Sequence, residues 1–176
     1  IADGIAVKSP GEVTLPLIEA LVDEIVTVSE SAIAEAMALL LERAKLVVEG
    51  AGAASLAAVT AGQIELDHES DNLVLLSGRN ADIGLLAKIA ARQESLEGRR
   101  LRLFTKVSDR PGGLARLLTT IAATKANLIS GEHVGESSRL DVHETAFERT
   151  LETRCRDHAE RVLDALRRAG YELGDI

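Results

Sequence analysis

Leu73 to Asp82 reads LVLLSGRNAD, and this stretch decides the fold of the first half of the chain. The apolar run Leu73 to Leu76 ends abruptly in Ser77 and Gly78, and a helical pattern begins a few residues later. A wholly apolar run of this length, bounded by turn residues, reads as a parallel strand buried on both faces. In an open α/β sheet, ligands sit beyond the carboxyl ends of such strands. The pattern therefore sets the Ser77 hydroxyl at a strand end, facing a ligand. A turn-forming serine is the plainer reading of the same residue.

On the amino-terminal side the chain alternates helix and strand signals, as an α/β domain does. Leu15 to Val22 predicts a helix with Pro16 in its first turn, and Glu24 to Val28 a short β-branched strand. Ser29 suits the N-cap of a helix carrying Ile33, Met37, Leu40 and Leu41. Lys45 to Glu49 leads into EGAGAASLAAV, residues 49–59, whose small side chains let a second helix pack very closely on its neighbours. These glycines lack the Lys-Ser/Thr that a phosphate loop needs. Glu49 is either a buried carboxylate or an exposed acid favoured by the dipole at a helix start. Gly62 is the expected stop, and Gln63 to Asn72 a polar connection. A further helix runs from Asp82 through Ile83, Leu86, Ile89 and Ala90.

The second half is more regular. Leu101, Leu103, Thr105 and Val107 alternate on one face of a strand over Arg100 to Val107. The turn Asp109-Arg110-Pro111-Gly112-Gly113 follows. Leu114, Leu117, Leu118, Ile121 and Ala122 then form the stripe of an amphipathic helix. Asn127 to Gly135 and His143 to Thr153 predict two strands paired across the loop Glu136–Asp141. A last helix bears Ala159, Val162, Leu163 and Leu166 and ends at Gly170, before a short strand over Tyr171 to Ile176. The order βαββαβ implies a ferredoxin-like sandwich. At the turn, Gly112 and Gly113 open a helix with exposed backbone amides, an arrangement that favours a carboxylate. Asp109, Gly112, Gly113 and Leu114 are thus candidate ligand contacts.

Composition limits the possibilities. Of 176 residues, 46% are apolar but only 2% aromatic, so the core must be built from Ala, Leu, Ile and Val. Residues 1–97 carry a net −10 and residues 98–176 a net +2, which suggests two units joined near Leu96–Arg100. The acidic balance argues against nucleic acid as a partner, and Arg99, Arg100 and Arg102 read as a solvated strand edge. Cys155, the single cysteine, excludes a disulfide framework and reads as a near-surface thiol. His68, His133, His143 and His158 share no metal-ligand spacing and read as surface histidines, although His133 and His143 could meet across two strands; no metal is expected. No apolar run approaches the roughly 20 residues of a membrane helix, and no signal peptide is visible, so a cytoplasmic protein is expected. The chain opens on Ile1 in mid-pattern, as a fragment would.

Three motifs carry a resemblance: IADGIAVKSPGEVTLPLI at the start, ERAKLVVEGAGAASLAAV, and LVLLSGRNAD. In this order they resemble the carboxyl-terminal part of threonine ammonia-lyases (threonine dehydratases), which depend on pyridoxal 5'-phosphate (PLP). Those enzymes share a fold type with serine racemase and the β subunit of tryptophan synthase. Residues 98–176 resemble an ACT domain, a small regulatory module of amino-acid enzymes. The resemblance implies an α/β chain: a partial PLP-enzyme domain with a parallel sheet over 1–97, then a βαββαβ ACT domain over 98–176. It implies that Ser77 hydrogen-bonds the pyridine nitrogen of PLP, that Glu49 lies beside the ring and that Gly4 lines the same pocket. Asn80 would fix the turn. Arg79 stands where the family has glycine, a departure that bears on backbone strain and on charge near the cofactor.

The implied reaction is loss of water and ammonia from L-threonine, and from L-serine, giving 2-oxobutanoate or pyruvate. The lysine that carries the cofactor and the glycine-rich phosphate loop would lie upstream of Ile1, since Lys8, Lys45 and Lys88 sit in no such motif. The fragment alone is expected to be inactive and its first half poorly stable. An ACT domain further implies a homo-oligomer and an amino-acid effector, isoleucine or valine, held near the Asp109–Leu114 turn with Asn127 added. Two alternatives stand beside this reading: a regulatory binding and dimerisation module with an inert catalytic remnant, and a relative of serine racemase or serine dehydratase.

Overall fold

The computed structural model of the chain describes residues 1–78, 80–134 and 144–174. It divides into two compact units, Ile1–Ala90 and Ala91–Ile176. Arg79, His143 and the loop Glu136–Asp141 lie outside the described residues.

The first unit is helical. It holds α1 (Thr14–Leu21), α2 (Glu30–Leu39), α3 (Gly50–Thr60) and the opening turns of α4 (Ile83–Leu96). The Ser29 hydroxyl accepts the Ala32 N–H at 3.1 Å and caps α2, a bond worth about 1 kcal/mol. A π-helical turn, Leu40–Ala44, ends α2 at Lys45, whose φ is 58°. Asp82 caps α4 in the same way, its Oδ1 accepting the Leu85 N–H at 2.9 Å. The core joins Ile33, Ala36, Met37 and Leu40 of α2 and its π-turn to Ala53 and Ala57 of α3 and Ile89 of α4. Where α2 meets α3, alanines let the two backbones approach closely, as the small-residue run implied.

The two strands expected in this unit do not form. Neither Glu24–Val28 nor Leu73–Leu76 pairs with any described strand, so the parallel sheet is absent from the described residues. Far from being buried on both faces, Leu73 is 96% and Leu75 76% exposed. Only Leu76 packs against the core. A strand of that kind needs neighbouring strands on either side and cover on both faces, and these residues supply cover on one face only.

The second unit is an antiparallel sheet with helices on one face. β1 (Arg100–Ser108), α5 (Gly113–Ala123), β2 (Asn127–Val134), β3 (Glu144–Glu152), α6 (Arg156–Arg168) and β4 (Leu173–Gly174) follow in that order. The sheet order is β2-β3-β1-β4. β1 pairs with β3 from Arg100 opposite Glu152 to Ser108 opposite Glu144, and β2 pairs with β3 across an irregularity between Leu128 and Ser130. Leu103 and Val107 of β1 and Phe147 and Leu151 of β3 meet Leu117, Ile121, Val162 and Leu166 from the two helices. β1 is therefore an inner strand only in its middle; at its basic end, Arg100 to Arg102, β3 is its one partner among the described residues. β4 covers β1 only at Phe104 and Thr105.

Among the described residues this unit buries four threonines, His158 and Arg149. His158 is 4% exposed, which corrects its reading as a surface histidine. Its Nδ1 accepts the Arg154 N–H at 3.1 Å, so the proton sits on Nε2, 2.8 Å from the Thr124 carbonyl. The ring ties the start of α6 to the end of α5. Arg149, opposite Leu103, is 1% exposed, and its Nε and one Nη have no hydrogen-bond partner among the described residues. Burial pushes its guanidinium down to about 10. Cys155, just before α6, is exposed, as are His68 and His133.

Candidate functional site

The end of the LVLLSG run is held by the first turns of α3. Gly52 faces Ser77 so closely that a Cβ on it would stand 1.4 Å from the Ser77 carbonyl oxygen. One turn further on, the Ser55 hydroxyl donates to the Leu75 carbonyl at 2.6 Å. Glu49, immediately before α3, donates its N–H to the Gly78 carbonyl at 3.3 Å. With no sheet around it among the described residues, the segment is held by these contacts with one helix.

Glycines also surround the Glu49 carboxyl. Gly78 has φ +74°, a conformation that glycine adopts without steric cost. A Cβ there would lie 2.2 Å from the Glu49 carboxyl. Gly4 sits in the short 3-10 turn Asp3–Ile5, and a Cβ on it would come within 3.3 Å of Glu49 Oε1. Gly4, Glu49 and the Ser77–Gly78 turn thus meet at one place. Glu49 is half-buried there and Ser77 is exposed. Asn80 is exposed and is not joined to this group by any hydrogen bond among the described residues.

The candidates in the second unit are not gathered in the same way. Gly112 has φ +88° and caps α5, but the Gly113 N–H is already donated to the Arg110 carbonyl at 3.0 Å. That amide is not free for a carboxylate. Asp109 and Gly112 are exposed, Gly113 is buried and Leu114 is half-buried. Asn127 lies opposite Glu152, whose other partner is Arg100, whereas the turn follows Ser108 at the far end of β1. Eight residues of strand separate the two ends, about 26 Å at 3.3 Å per residue. Within one copy, Asn127 and the turn do not share a site. Its side chain instead donates to Glu152 at 3.2 Å.

Gly52, Ser55 and Gly78 were not singled out from the sequence. Gly52 and Ser55 are three residues apart, hence on one helix face, and that spacing inside GAGAAS was the available signal. No group of three His, Cys, Asp or Glu side chains among the described residues is placed to hold a metal ion.

The sequence that builds this arrangement is similar to known proteins. Residues 1–78 match the family model described as pyridoxal-phosphate dependent enzyme. At the level of individual proteins, the chain is 43% identical over 171 residues, 97% of its length, to the L-threonine ammonia-lyase of Geobacter sulfurreducens. It is 38% identical over 174 residues, 98% of its length, to the L-threonine ammonia-lyase of Thermotoga maritima. A shorter match, 48% over 85 residues, covers 47% of this chain and 25% of the catabolic L-threonine dehydratase of Staphylococcus aureus. The chain spans 42% and 43% of the Geobacter and Thermotoga proteins. No helix among the described residues is long and apolar enough to cross a membrane.

Proposed function

We propose that the chain is the carboxyl-terminal part of a PLP-dependent L-threonine ammonia-lyase, acting also on L-serine. The observation that carries this reading is the meeting of Gly4, Glu49 and Ser77 at the start of α3. Similarity to two threonine ammonia-lyases along nearly the whole chain supports it.

The residues present fit one edge of the cofactor. The Ser77 hydroxyl, exposed at the end of its run, is a neutral partner suited to a pyridine nitrogen. Gly4 and Gly78 keep the space beside the Glu49 carboxyl clear of Cβ atoms. When bound, PLP supplies an electron sink for the pair left at the substrate α-carbon. Ser77 would hold the ring nitrogen without protonating it, which would suit an elimination whose leaving group departs quickly. Gly52 and Ser55 keep Ser77 at that position. In the net reaction threonine loses its α-proton and β-hydroxyl as water, and hydrolysis then releases ammonia and 2-oxobutanoate. The lysine bearing the cofactor belongs, in this reading, to the part of the relatives that the chain does not span. The exposed apolar side chains Ile25, Leu73 and Leu75 are surfaces for that part to cover.

For the second unit the proposal is an ACT domain with a ferredoxin-like fold, serving amino-acid regulation or assembly into a homo-oligomer in the cytoplasm. Its βαββαβ order and antiparallel β2-β3-β1-β4 sheet support this. The free edge of β2, where Leu128 and Ile129 are exposed, favours assembly. The effector class is isoleucine or valine.

In the full-length protein, Ser77→Ala should shift the absorbance of bound PLP and lower kcat; an unchanged spectrum and rate would rule out the Ser77 assignment. Calorimetry of the chain with isoleucine, valine, threonine and serine tests regulation. Heat from any of them supports effector binding, while silence together with a dimer by light scattering leaves assembly alone.

A further inference from the structure

The face of the second unit's sheet turned away from α5 and α6 carries a polar cleft. Three neighbouring strands set Arg102, Thr150 and Ser130 in a row, since Thr150 is the partner of Arg102 on one side and of Ser130 on the other. Arg100 lies two residues from Arg102 on the same face, and Glu148 two residues from Thr150. The last turns of α4 form the opposite wall with Ala91, Arg92 and Ser95. The cleft so bounded has a volume of about 370 Å³.

Its charge is one-sided. Three guanidinium groups, those of Arg92, Arg100 and Arg102, face one carboxylate in the lining, that of Glu148. Arg102 donates two N–H groups to Oε1 of Glu148, one of them from Nε at 2.7 Å, which neutralises that carboxylate. Glu94 holds Arg100 only loosely, at 3.6 Å. A guanidinium has five N–H donors, so Arg100 and Arg102 both keep donors beyond these pairs. At the floor lies Thr150, 8% exposed as a residue. Its hydroxyl lines the cleft beside Arg102 and can donate to an anion held there.

We infer that this cleft binds a small molecule bearing an oxyanion, a carboxylate or a phosphate. Arg100 and Arg102 form charge-assisted hydrogen bonds to it, and Thr150 and Ser130 donate from the floor. None of these residues takes part in the Glu49–Ser77 group, so the inference does not depend on the reading of that site.

Titration of the 176-residue chain at constant ionic strength, with inorganic phosphate and separately with succinate, tests it. Saturable heat with either anion is expected, and the tighter of the two tells a phosphate from a dicarboxylate. Thr150→Val keeps shape and strand propensity, and Arg102→Gln alters a largely exposed side chain; each should weaken binding about tenfold. Glu148→Gln removes the negative charge from the lining and should tighten it. Arg167→Gln, on α6 and paired with Asp164, should change nothing. Absence of saturation with both anions overturns the inference, and so does an equal loss in Arg167→Gln, which would mark a diffuse charge effect.

Discussion

Glu49 is tied to Gly78 twice. Its backbone N–H donates to the Gly78 carbonyl at 3.3 Å, and its carboxyl fills the space that a Cβ on Gly78 would need. The two effects are separable. Gly78→Ala should cost about 1–2 kcal/mol from its positive φ alone, and more because it displaces the Glu49 side chain. In a double-mutant cycle, Glu49→Ala should remove the second part, so the pair costs less than the sum. Full additivity by urea unfolding would mean that the carboxyl does not occupy that place.

Gly52→Ala should be worse tolerated than alanine at a glycine chosen only for its φ. The new methyl would meet the Ser77 backbone, which cannot rotate out of the way, and the cost should reach about 3 kcal/mol. Gly62 has φ +65°, but nothing lies within 4 Å of the place a Cβ would take; Gly62→Ala should cost about 1 kcal/mol. Denaturation curves of the two variants should keep that order.

His158→Gln should destabilise the second unit by about 1–3 kcal/mol. A glutamine cannot both accept from the Arg154 N–H and donate to the Thr124 carbonyl along the line the imidazole spans. Thermal unfolding checks this, and a variant as stable as the parent would mean the ring bridges nothing of consequence.

Arg149→Met should raise stability by about 1–3 kcal/mol, because it removes a buried charge that lacks full pairing. The sign with pH follows from the folded value of about 10, which lies below the ordinary value of the unfolded chain. Between those values the unfolded chain holds more protons than the folded one, so stability of the parent rises with pH. The penalty is complete below about 10 and eases above it. The advantage of Arg149→Met should therefore narrow in alkaline solution, and a constant gap would argue against it.

The second unit was legible because everything its pattern requires is within the chain. The alternation of Leu101, Leu103, Thr105 and Val107 reports one covered face, and α5 and α6 are present to cover it. Leu73 to Leu76 reported a doubly covered strand just as clearly, but no strand pairs with it among the described residues, and Leu73 and Leu75 stand in solvent. Hydrophobic pattern records the environment a segment is suited to, whether or not that environment is supplied. At the candidate site, Glu49 and Ser77 were visible as chemistry-bearing residues. Gly52 and Ser55 were hidden because small residues in an alanine-rich helix look like packing. His158 could have been found, since it precedes Val162 and Leu166 by four and eight residues on the same stripe.

The Gly52–Ser77 contact bears on how related sequences are to be sorted. A Ser-Gly pair after an apolar run is short enough to arise by chance or to outlive the site it once served. The residue facing it from the helix is under a steric condition that no other side chain meets. A chain that keeps the Ser-Gly pair but bears a side chain at the position of Gly52 has lost the geometry while retaining the signature. Reading the two positions together thus separates chains that can seat the turn on the helix from chains that cannot, which neither motif does alone.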